Sequence, residues 1–215
     1  MNTNVIPLGT AAALPTAGRH LSALALERKG RVLLFDCGEG TQYRLLHADL
    51  SRVRVDAIFI THLHGDHCYG LPGLLSTLAL QQRDAPVTLV LPPGGRAMLE
   101  ATPGGDPEGL PFPLRVREVD VDLSHTVVYE TDEFSVEARP LAHRGFAMGF
   151  RFEEHERPGR FEPEQARALG VPEGPAFGRL QNGTPVTTAD DTTVEPAQVT
   201  GPPRPGISVA YVTDT

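Results

Sequence analysis

The stretch that decides the fold is Thr61-His62-Leu63-His64-Gly65-Asp66-His67. It places four side chains that can bind a metal within six residues, directly after residues 55–60, which are mostly β-branched or aromatic. An apolar run of this length, closed by a polar turn, is typical of a buried strand that ends at a sheet edge. We therefore expect a metal-binding loop, not a helix. The alternative, surface histidines that cluster by chance, does not explain why they follow a strand.

The spacing within this loop divides its ligands into two sets. In an extended segment alternate side chains share a face, so His62 and His64 can point at one metal ion. Gly65 permits a turn, beyond which Asp66 and His67 can reach a second ion. Imidazole and carboxylate ligands without thiolate suit zinc or a similar ion at a catalytic site, where open positions hold water.

The motif resembles the signature of the metallo-β-lactamase fold, an α/β (α+β) superfamily of mostly hydrolytic enzymes built as an αββα sandwich around one or two metals. This resemblance implies the fold but not the substrate. Further segments look like ribonuclease Z, the family that removes the 3′ trailer from precursor tRNA. These segments are residues 8–16, 35–42 and 70–75, Pro140-Leu141-Ala142-His143 and Thr213-Asp214-Thr215. The similarity extends over essentially the whole chain.

The resemblance to ribonuclease Z also implies roles for single residues. His143 follows a predicted strand and matches the third histidine of the first metal, although a solvated or packed histidine is the alternative. Asp214 matches the aspartate that bridges both metals. Asp66 would also orient or deprotonate the water that attacks the phosphodiester, leaving a 3′-hydroxyl tRNA. The implied ligands of two zinc ions are His62, His64, Asp66, His67, His143 and Asp214.

Residues 155–184 differ in character from the chain before them, because prolines recur and glutamate and arginine dominate. We expect an inserted flexible arm there, between a first half-domain at residues 1–154 and a surface loop with the first strand of the second half at residues 185–215. The segment resembles the arm with which ribonuclease Z grips tRNA. Its charge is mixed, so a solvated surface loop is the alternative. The implied tRNA-binding residues are Gly174, Pro175, Arg160, Arg167 and Arg179.

Apolar periodicity predicts the remaining elements. Leucines at positions 71, 74, 75 and 78 form the buried stripe of a helix over residues 70–83. Further helices are expected over residues 39–48, 95–101 and 163–169. Strands are expected over residues 4–8, 21–27, 31–36, 87–91, 114–120, 127–130, 134–140, 147–152 and 207–212. Residues 187–205, rich in Asp, Thr and Pro, are expected to form a surface loop.

Length and composition are consistent with a cytoplasmic enzyme. A chain of 215 residues with 40% hydrophobic content can bury one sizeable core. It contains no apolar run near the roughly 20 residues that span a bilayer and no secretory signal, so we expect no membrane partner. Cys37 and Cys68 are expected to be reduced packing residues. The net charge of −8 argues mildly against nucleic acid, but bound metals supply local positive charge, so charge does not decide the partner.

The sequence stops one residue after Asp214. The resemblance implies that the rest of the second half, with the last ligand of the second metal, lies beyond that point. We therefore expect the chain alone to bind the first metal but to cleave precursor tRNA poorly, and to form a homodimer when the fold is complete. Two alternatives stay open: another hydrolase of this fold, such as a cyclic-nucleotide phosphodiesterase or a thioesterase, and an inactive truncated metal-binding remnant.

Overall fold

The computed structural model describes residues 3–119 and 125–214. Its contacts divide the chain into two compact units. The first unit contains the described residues up to Thr131, Ser135–Phe152 and the described residues from Val209 onward. The second unit contains Asp132–Phe134 and Glu153–Ser208. It therefore continues beyond residue 184, where the sequence analysis ends the inserted arm. The predicted end of a strand at Asp120 lies outside the described residues.

The elements follow the predicted order closely. The strands are β1 (Thr3–Gly9), β2 (Ala23–Arg28), β3 (Arg31–Phe35), β4 (Val55–Phe59), β5 (Val87–Leu91), β6 (Leu114–Glu118), β7 (Thr126–Glu130), β8 (Phe134–Pro140), β9 (Met148–Glu154), β10 (Val186–Thr187), β11 (Thr193–Val194) and β12 (Ser208–Tyr211). The α-helices are α1 (Thr41–His47), α2 (Gly65–Cys68), α3 (Leu71–Leu80), α4 (Gly95–Glu100), α5 (Pro163–Ala168) and α6 (Pro175–Gln181). Among these described helices, none is long and apolar enough to cross a membrane.

The larger sheet has the strand order β1-β2-β3-β4-β5-β6. Its first three strands are antiparallel, whereas β3 to β6 run parallel. Parallel strands need crossover connections, which α1, α2 with α3, and α4 supply. β4 and β5 are buried along almost their whole length, as expected for strands that are covered on both faces.

Two different layers cover the larger sheet. On one face, the four leucines of the predicted α3 stripe are fully buried in a cluster that includes Ile58. On the other face, Phe35 and Phe59 stack with ring centroids 5.0 Å apart and contact Phe150 of β9. β9 belongs to a second sheet with the order β12-β9-β8-β7. Helices, large sheet and second sheet are three consecutive layers of the predicted αββα sandwich.

The second unit has a small apolar core of its own. The core consists of Ala166, Val171, Ala176, Leu180, Val186, Val194 and Val199, and all seven are buried. β10 and β11 pair as an antiparallel ribbon. The prediction of a surface loop over residues 187–205 is therefore wrong in part, because this range contains β11 and two buried valines. Short strands of two residues leave too little alternation to be recognised in a sequence.

Two helices differ from the predictions. The metal motif is not wholly a loop, since Gly65–Cys68 forms one helical turn that carries Asp66 and His67. α6 is not among the predicted helices, and Gly174-Pro175, which the resemblance assigns to tRNA binding, lies at its start. Gly174 adopts a φ of 103°, and Pro175 occupies the first turn of α6, where its fixed φ and missing N–H are tolerated. The breaker is thus the start of a helix.

Candidate metal centre

The motif lies at the carboxyl ends of neighbouring parallel strands. β4 ends at Phe59, and the buried Ile60 and Thr61 lead into the histidines. β3, its neighbour in the sheet, ends just before the buried Asp36. In sheets with parallel strands, this edge is where ligands usually bind, because loops from adjacent strands meet there. The sequence order therefore delivers polar groups from two strands to one place.

Four of the predicted ligands form one group. His62, His64, His143 and Asp214 each offer a ligand atom, and these atoms lie within 4.8 Å of one another. The ring centroid of His143 is 5.1 Å from that of His62 and 5.3 Å from that of His64. Nε2 of His143 is buried and has no hydrogen-bond partner. A buried nitrogen without a partner is costly in a protein, and a bound metal would satisfy it. The residues therefore fit a metal ion.

Asp66 and His67 lie beside this group. Nε2 of His67 is 3.5 Å from Oδ2 of Asp66 and 3.9 Å from Oδ1 of Asp214. The other oxygen of Asp214, Oδ2, is 3.7 Å from Nε2 of His62. One carboxylate thus faces the two histidines with different oxygens, which is the geometry that a bridging ligand needs. The structure brings all six predicted ligands together, and their assignment to two metals stays a prediction.

The first of the segments that resemble ribonuclease Z reaches the same site. The backbone N–H of Ala13 donates a hydrogen bond of 2.9 Å to Oδ2 of Asp66. Ala13 has a φ of 57°, an uncommon value for a residue other than glycine. A hydrogen bond from a backbone amide to a carboxylate is charge-assisted and fixes its direction. The loop before β2 therefore helps to orient the carboxylate that is predicted to be catalytic.

Asp36 and Thr61 form a buried pair beneath the histidines, which we call the Asp36–Thr61 hub. Asp36 accepts hydrogen bonds from the backbone N–H of Thr61 at 2.8 Å and from its hydroxyl at 3.0 Å. Nδ1 of His67 donates to Oδ2 of Asp36 at 2.7 Å. Oγ1 of Thr61 lies 2.9 Å from Nδ1 of His62. The hub therefore contacts one histidine of each predicted metal, and such outer contacts orient metal ligands.

Sequence reasoning gave Asp36 no role. It lies within residues 35–42, one of the segments that resemble ribonuclease Z. The available signal was a carboxylate placed directly after an apolar strand, next to a strand that ends in histidines. Its backbone adds a structural sign, since Asp36 has a φ of 57° although it is not glycine. Such conformations cluster at functional sites.

Burial and neighbouring charges set the protonation of the histidines. Burial, aided by the nearby His67 and His64, lowers the pKa of His62 to about 4 against the opposing charge of Asp214. His62 is therefore neutral near pH 7, the form that binds metal. For His67, burial also lowers the pKa, but the hydrogen bond and charge of Asp36 outweigh it, and the net shift is upward. The upward shift in the pKa of His67 thus reflects its hydrogen bond with Asp36.

The two cysteines are buried and carry neutral thiols. Burial raises the pKa of Cys37 and that of Cys68 to about 12. The thiol of Cys68 donates to the backbone carbonyl of His64 at 3.2 Å. Among the described residues, the group of side chains that could hold a metal contains neither cysteine. This agrees with the prediction that both are packing residues.

The predicted tRNA-binding residues all belong to the second unit, whereas the six predicted metal ligands belong to the first. Arg167 is held by ion pairs of 2.5 Å with Glu164 and Glu173. Arg160 instead lines a cavity of about 380 Å³ with Phe161 and Arg204. Gly174 and Pro175 begin α6, and Arg179 is exposed on it. Among the described residues, neither Arg160 nor Arg204 has an ion pair with a carboxylate, and Nε of Arg204 donates to the backbone carbonyl of Pro158 at 3.2 Å.

Comparisons with known proteins show which family the chain resembles over its full length. The chain is 72% identical to ribonuclease Z of Salinibacter ruber over 216 residues, which cover all of this chain and 67% of that protein. It is 43% identical to ribonuclease Z of Halorubrum lacusprofundi, covering all of this chain and 68% of that protein. A solved human tRNase Z, short form, superposes with a TM-score of 0.60 at 36% identity, over 71% of this chain and 66% of that chain.

Two further similarities are weaker, because one covers less than half of the chain and the other has low sequence identity. The family described as Anti-Pycsar protein Apyc1 matches residues 3–100, less than half of the chain. A diphosphatase from the PhnP family superposes with a TM-score of 0.56 at 19% identity, over 71% of this chain and 63% of that chain. At that identity the likeness shows the fold alone. The chain also spans only about two thirds of the length of the curated relatives it matches.

The metallo-β-lactamase fold protein YhfI of Bacillus subtilis superposes with a TM-score of 0.54 at 15% identity, over 69% of this chain and 57% of that chain. Together with the layered sheets, this superposition shows that the protein has the metallo-β-lactamase fold. Within this fold, the identity over the full chain and the match to a solved tRNase Z are decisive. The chain belongs to the ribonuclease Z family of metal-dependent endonucleases.

Proposed function

We propose that this chain provides the catalytic site and the tRNA-binding arm of an enzyme that removes the 3′ trailer from precursor tRNA with two zinc ions. The observation that carries the proposal is the placement of Asp214, whose two oxygens face His62 and His67, beside the unpartnered Nε2 of His143. Membership of the ribonuclease Z family supports the choice of tRNA as the substrate.

The chain's own residues would divide the work as follows. His62, His64 and His143 would hold one zinc ion, Asp66 and His67 the other, and Asp214 both. Bound zinc supplies positive charge for the phosphate oxygens and lowers the pKa of water so that it becomes a nucleophile near neutral pH. Asp66 has one oxygen fixed by the amide of Ala13, so it can orient the attacking water and accept its proton. The released trailer carries a 5′-phosphate and the tRNA a 3′-hydroxyl.

A single-turnover cleavage assay tests the proposal. A precursor tRNA with a labelled 3′ trailer is incubated with excess protein, with zinc and after removal of metal. We expect a zinc-dependent cut at one position, after the nucleotide that precedes the trailer, and no such product from His143→Ala. The position of the cut is the readout, because the rate of this chain is expected to be low. A protein that hydrolyses bis(p-nitrophenyl) phosphate but leaves the tRNA uncut would show another hydrolase of the fold.

The feature of the second unit that favours tRNA binding is its cavity, not its net charge. Arg160 and Arg204 line one concave surface together with Phe161, Gln181 and Thr200. A guanidinium group can bind phosphate in a bidentate manner, so two arginines beside one cavity favour a phosphate-containing ligand. Of the arginines that the sequence suggested, Arg160 is thus favoured over the ion-paired Arg167.

Matched arginine variants test this part. We expect Arg160→Ala with Arg204→Ala to weaken tRNA binding and to reduce the slope of log K against log salt by about 1 to 2, because each lost phosphate contact removes somewhat less than one unit. Arg167→Ala is the control, since its charge is already neutralised by two glutamates. Filter binding between 50 and 200 mM salt measures both. If the parent, the double variant and Arg167→Ala show equal salt slopes, Arg160 and Arg204 do not contact the phosphates of tRNA.

Dimerisation and location in the cytoplasm are further parts of the proposal. Dimerisation rests on the family resemblance, which implies that the arm of one subunit serves the site of another, whereas the cytoplasmic location rests on length and composition. Sedimentation of the purified protein with zinc tests the first, and fractionation of the source cells tests the second. A sedimenting monomer at all protein concentrations would refute the dimer for this chain.

A further inference from the structure

Two hydroxyl groups of the last described segment reach the Asp36–Thr61 hub. The hydroxyl of Tyr211, at the end of β12, donates a hydrogen bond of 3.0 Å to Oδ2 of Asp36. The hydroxyl of Thr213 lies 3.4 Å from Oγ1 of Thr61. The two residues are two positions apart, and alternate side chains of an extended chain share a face. The ring of Tyr211 packs 5.7 Å from that of Phe35. This segment is therefore fixed to the hub at two points.

The hydrogen bonds at the hub also fix the histidines. Asp36 is an acceptor, so Nδ1 of His67 must carry the proton in their 2.7 Å contact. Thr61 has a single hydroxyl hydrogen, which it donates to Asp36. It therefore accepts from Nδ1 of His62. In both histidines Nδ1 is engaged with the hub and Nε2 is left toward Asp214, which is the arrangement needed by a metal ligand.

We propose that Tyr211 is a positioning residue that orients two predicted metal ligands, His67 and Asp214. Its hydroxyl shares Oδ2 of Asp36 with His67, so it limits the rotation of the carboxylate that holds that imidazole. Tyr211 also precedes Asp214 by three residues. The same hydrogen bond thus holds the strand end that carries the bridging carboxylate. Thr213 supports this second effect through the weaker contact to Thr61. The inference rests on the proposed metal site, not on the choice of tRNA as substrate.

A purely structural role would give a different result. If Tyr211 only satisfies the buried carboxylate and fills space beside Phe35, its loss lowers stability and leaves metal binding unchanged. If it positions the ligands, removal of one oxygen atom weakens zinc binding and disturbs the ring of His67. Zinc affinity and the state of His67 therefore separate the two roles, whereas thermal stability does not.

The test compares Tyr211→Phe with Tyr129→Phe in the chain as it stands. Tyr129 is the matched control, because it is also partly buried and packs on Phe59. Burial raises its pKa, and the charges that act on it are those of Asp56, Arg31 and Arg115, not those of the metal centre. Zinc affinity is measured by competition with a chromophoric chelator. Changes in outer contacts of metal sites typically cost about 10- to 100-fold in affinity, and for this more remote group we expect roughly tenfold. Tyr129→Phe should bind zinc like the parent.

A second measurement needs no metal. In metal-free protein, ¹⁵N NMR of the histidine rings reports which nitrogen carries the proton. We expect the parent to show a protonated Nδ1 at His67, and Tyr211→Phe to show a shifted signal from a less ordered ring. Thr213→Val provides a second variant if Tyr211→Phe does not fold, with a smaller loss of zinc affinity expected. Parental zinc affinity in either folded variant, with an unchanged His67 signal, would overturn the proposal. These readouts do not involve tRNA, so they stand apart from failure of the cleavage assay.

Discussion

The core of the second unit is small, so shortening a single buried side chain should destabilise the whole unit. Leu180 in α6 is only 1% exposed and is the largest member of a core whose other members are alanines and valines. Leu→Ala in a packed core costs about 2 to 5 kcal/mol, because neighbouring groups collapse only partly into the cavity. A unit of roughly 60 residues has a free energy of unfolding of about 3 to 9 kcal/mol. Leu180→Ala should therefore remove a large share of the stability of this unit.

Hydrogen exchange followed by mass spectrometry measures this effect segment by segment. We expect peptides from α5, α6 and the β10–β11 ribbon to lose protection equivalent to about 2 to 5 kcal/mol, whereas peptides from β4 and β5 keep parental exchange. The control is Gln165→Ala on the exposed side of α5, which should change neither set. In function, the variant should lose tRNA binding before it loses hydrolysis of a small phosphodiester.

Either of two results would refute this reasoning. If Leu180→Ala leaves α5 and α6 fully protected, the seven buried residues do not act as a core. If protection falls equally in β4 and β5, the two units unfold together. The two units would then not be separate units of stability. The first result concerns packing, and the second concerns cooperativity.

Three further outcomes follow from the centre itself. Asp36→Asn replaces an acceptor by an amide and should lower zinc affinity at least tenfold, measured by chelator competition. His143→Ala should remove one ligand and weaken zinc binding while the free energy of unfolding of metal-free protein stays near parental, since Nε2 has no partner to lose. Cys37 and Cys68 should resist iodoacetamide at pH 8 until unfolded. Because folding raises both thiol pKa values, the free energy of unfolding should fall as pH rises above about 9, which denaturant titrations check.

Elements with long apolar runs were predictable from the sequence. β5 and β8 have the predicted bounds, and the leucine stripe of α3 is buried as expected. These segments are decided by burial, which a pattern of apolar residues records directly. The metal motif was predictable for a related reason, because its ligands are close in sequence and follow a strand that must be buried.

The parts that were not predictable depend on contacts between distant segments. The helical turn at α2 is too short for any periodicity, and it places Asp66 and His67 differently from an extended loop. Asp36 becomes important only when β3 and β4 pair and bring it under Thr61. Tyr211 reaches the same carboxylate from 175 residues away along the chain. Such hydrogen bonds have no local signature in a sequence.

The strands on either side of the second unit are neighbours in one sheet. The backbone N–H of Glu154 donates a hydrogen bond to the backbone carbonyl of Ile207, while the backbone carbonyl oxygen of Tyr211 lies beside Gly149, so β9 and β12 run antiparallel. Antiparallel neighbours can be joined by a turn of two residues. The second unit is therefore an insertion between two neighbouring strands that a short hairpin turn could connect. Under the proposed function, exchange of this insertion would change how the substrate is bound, while all six predicted metal ligands stay in the first unit.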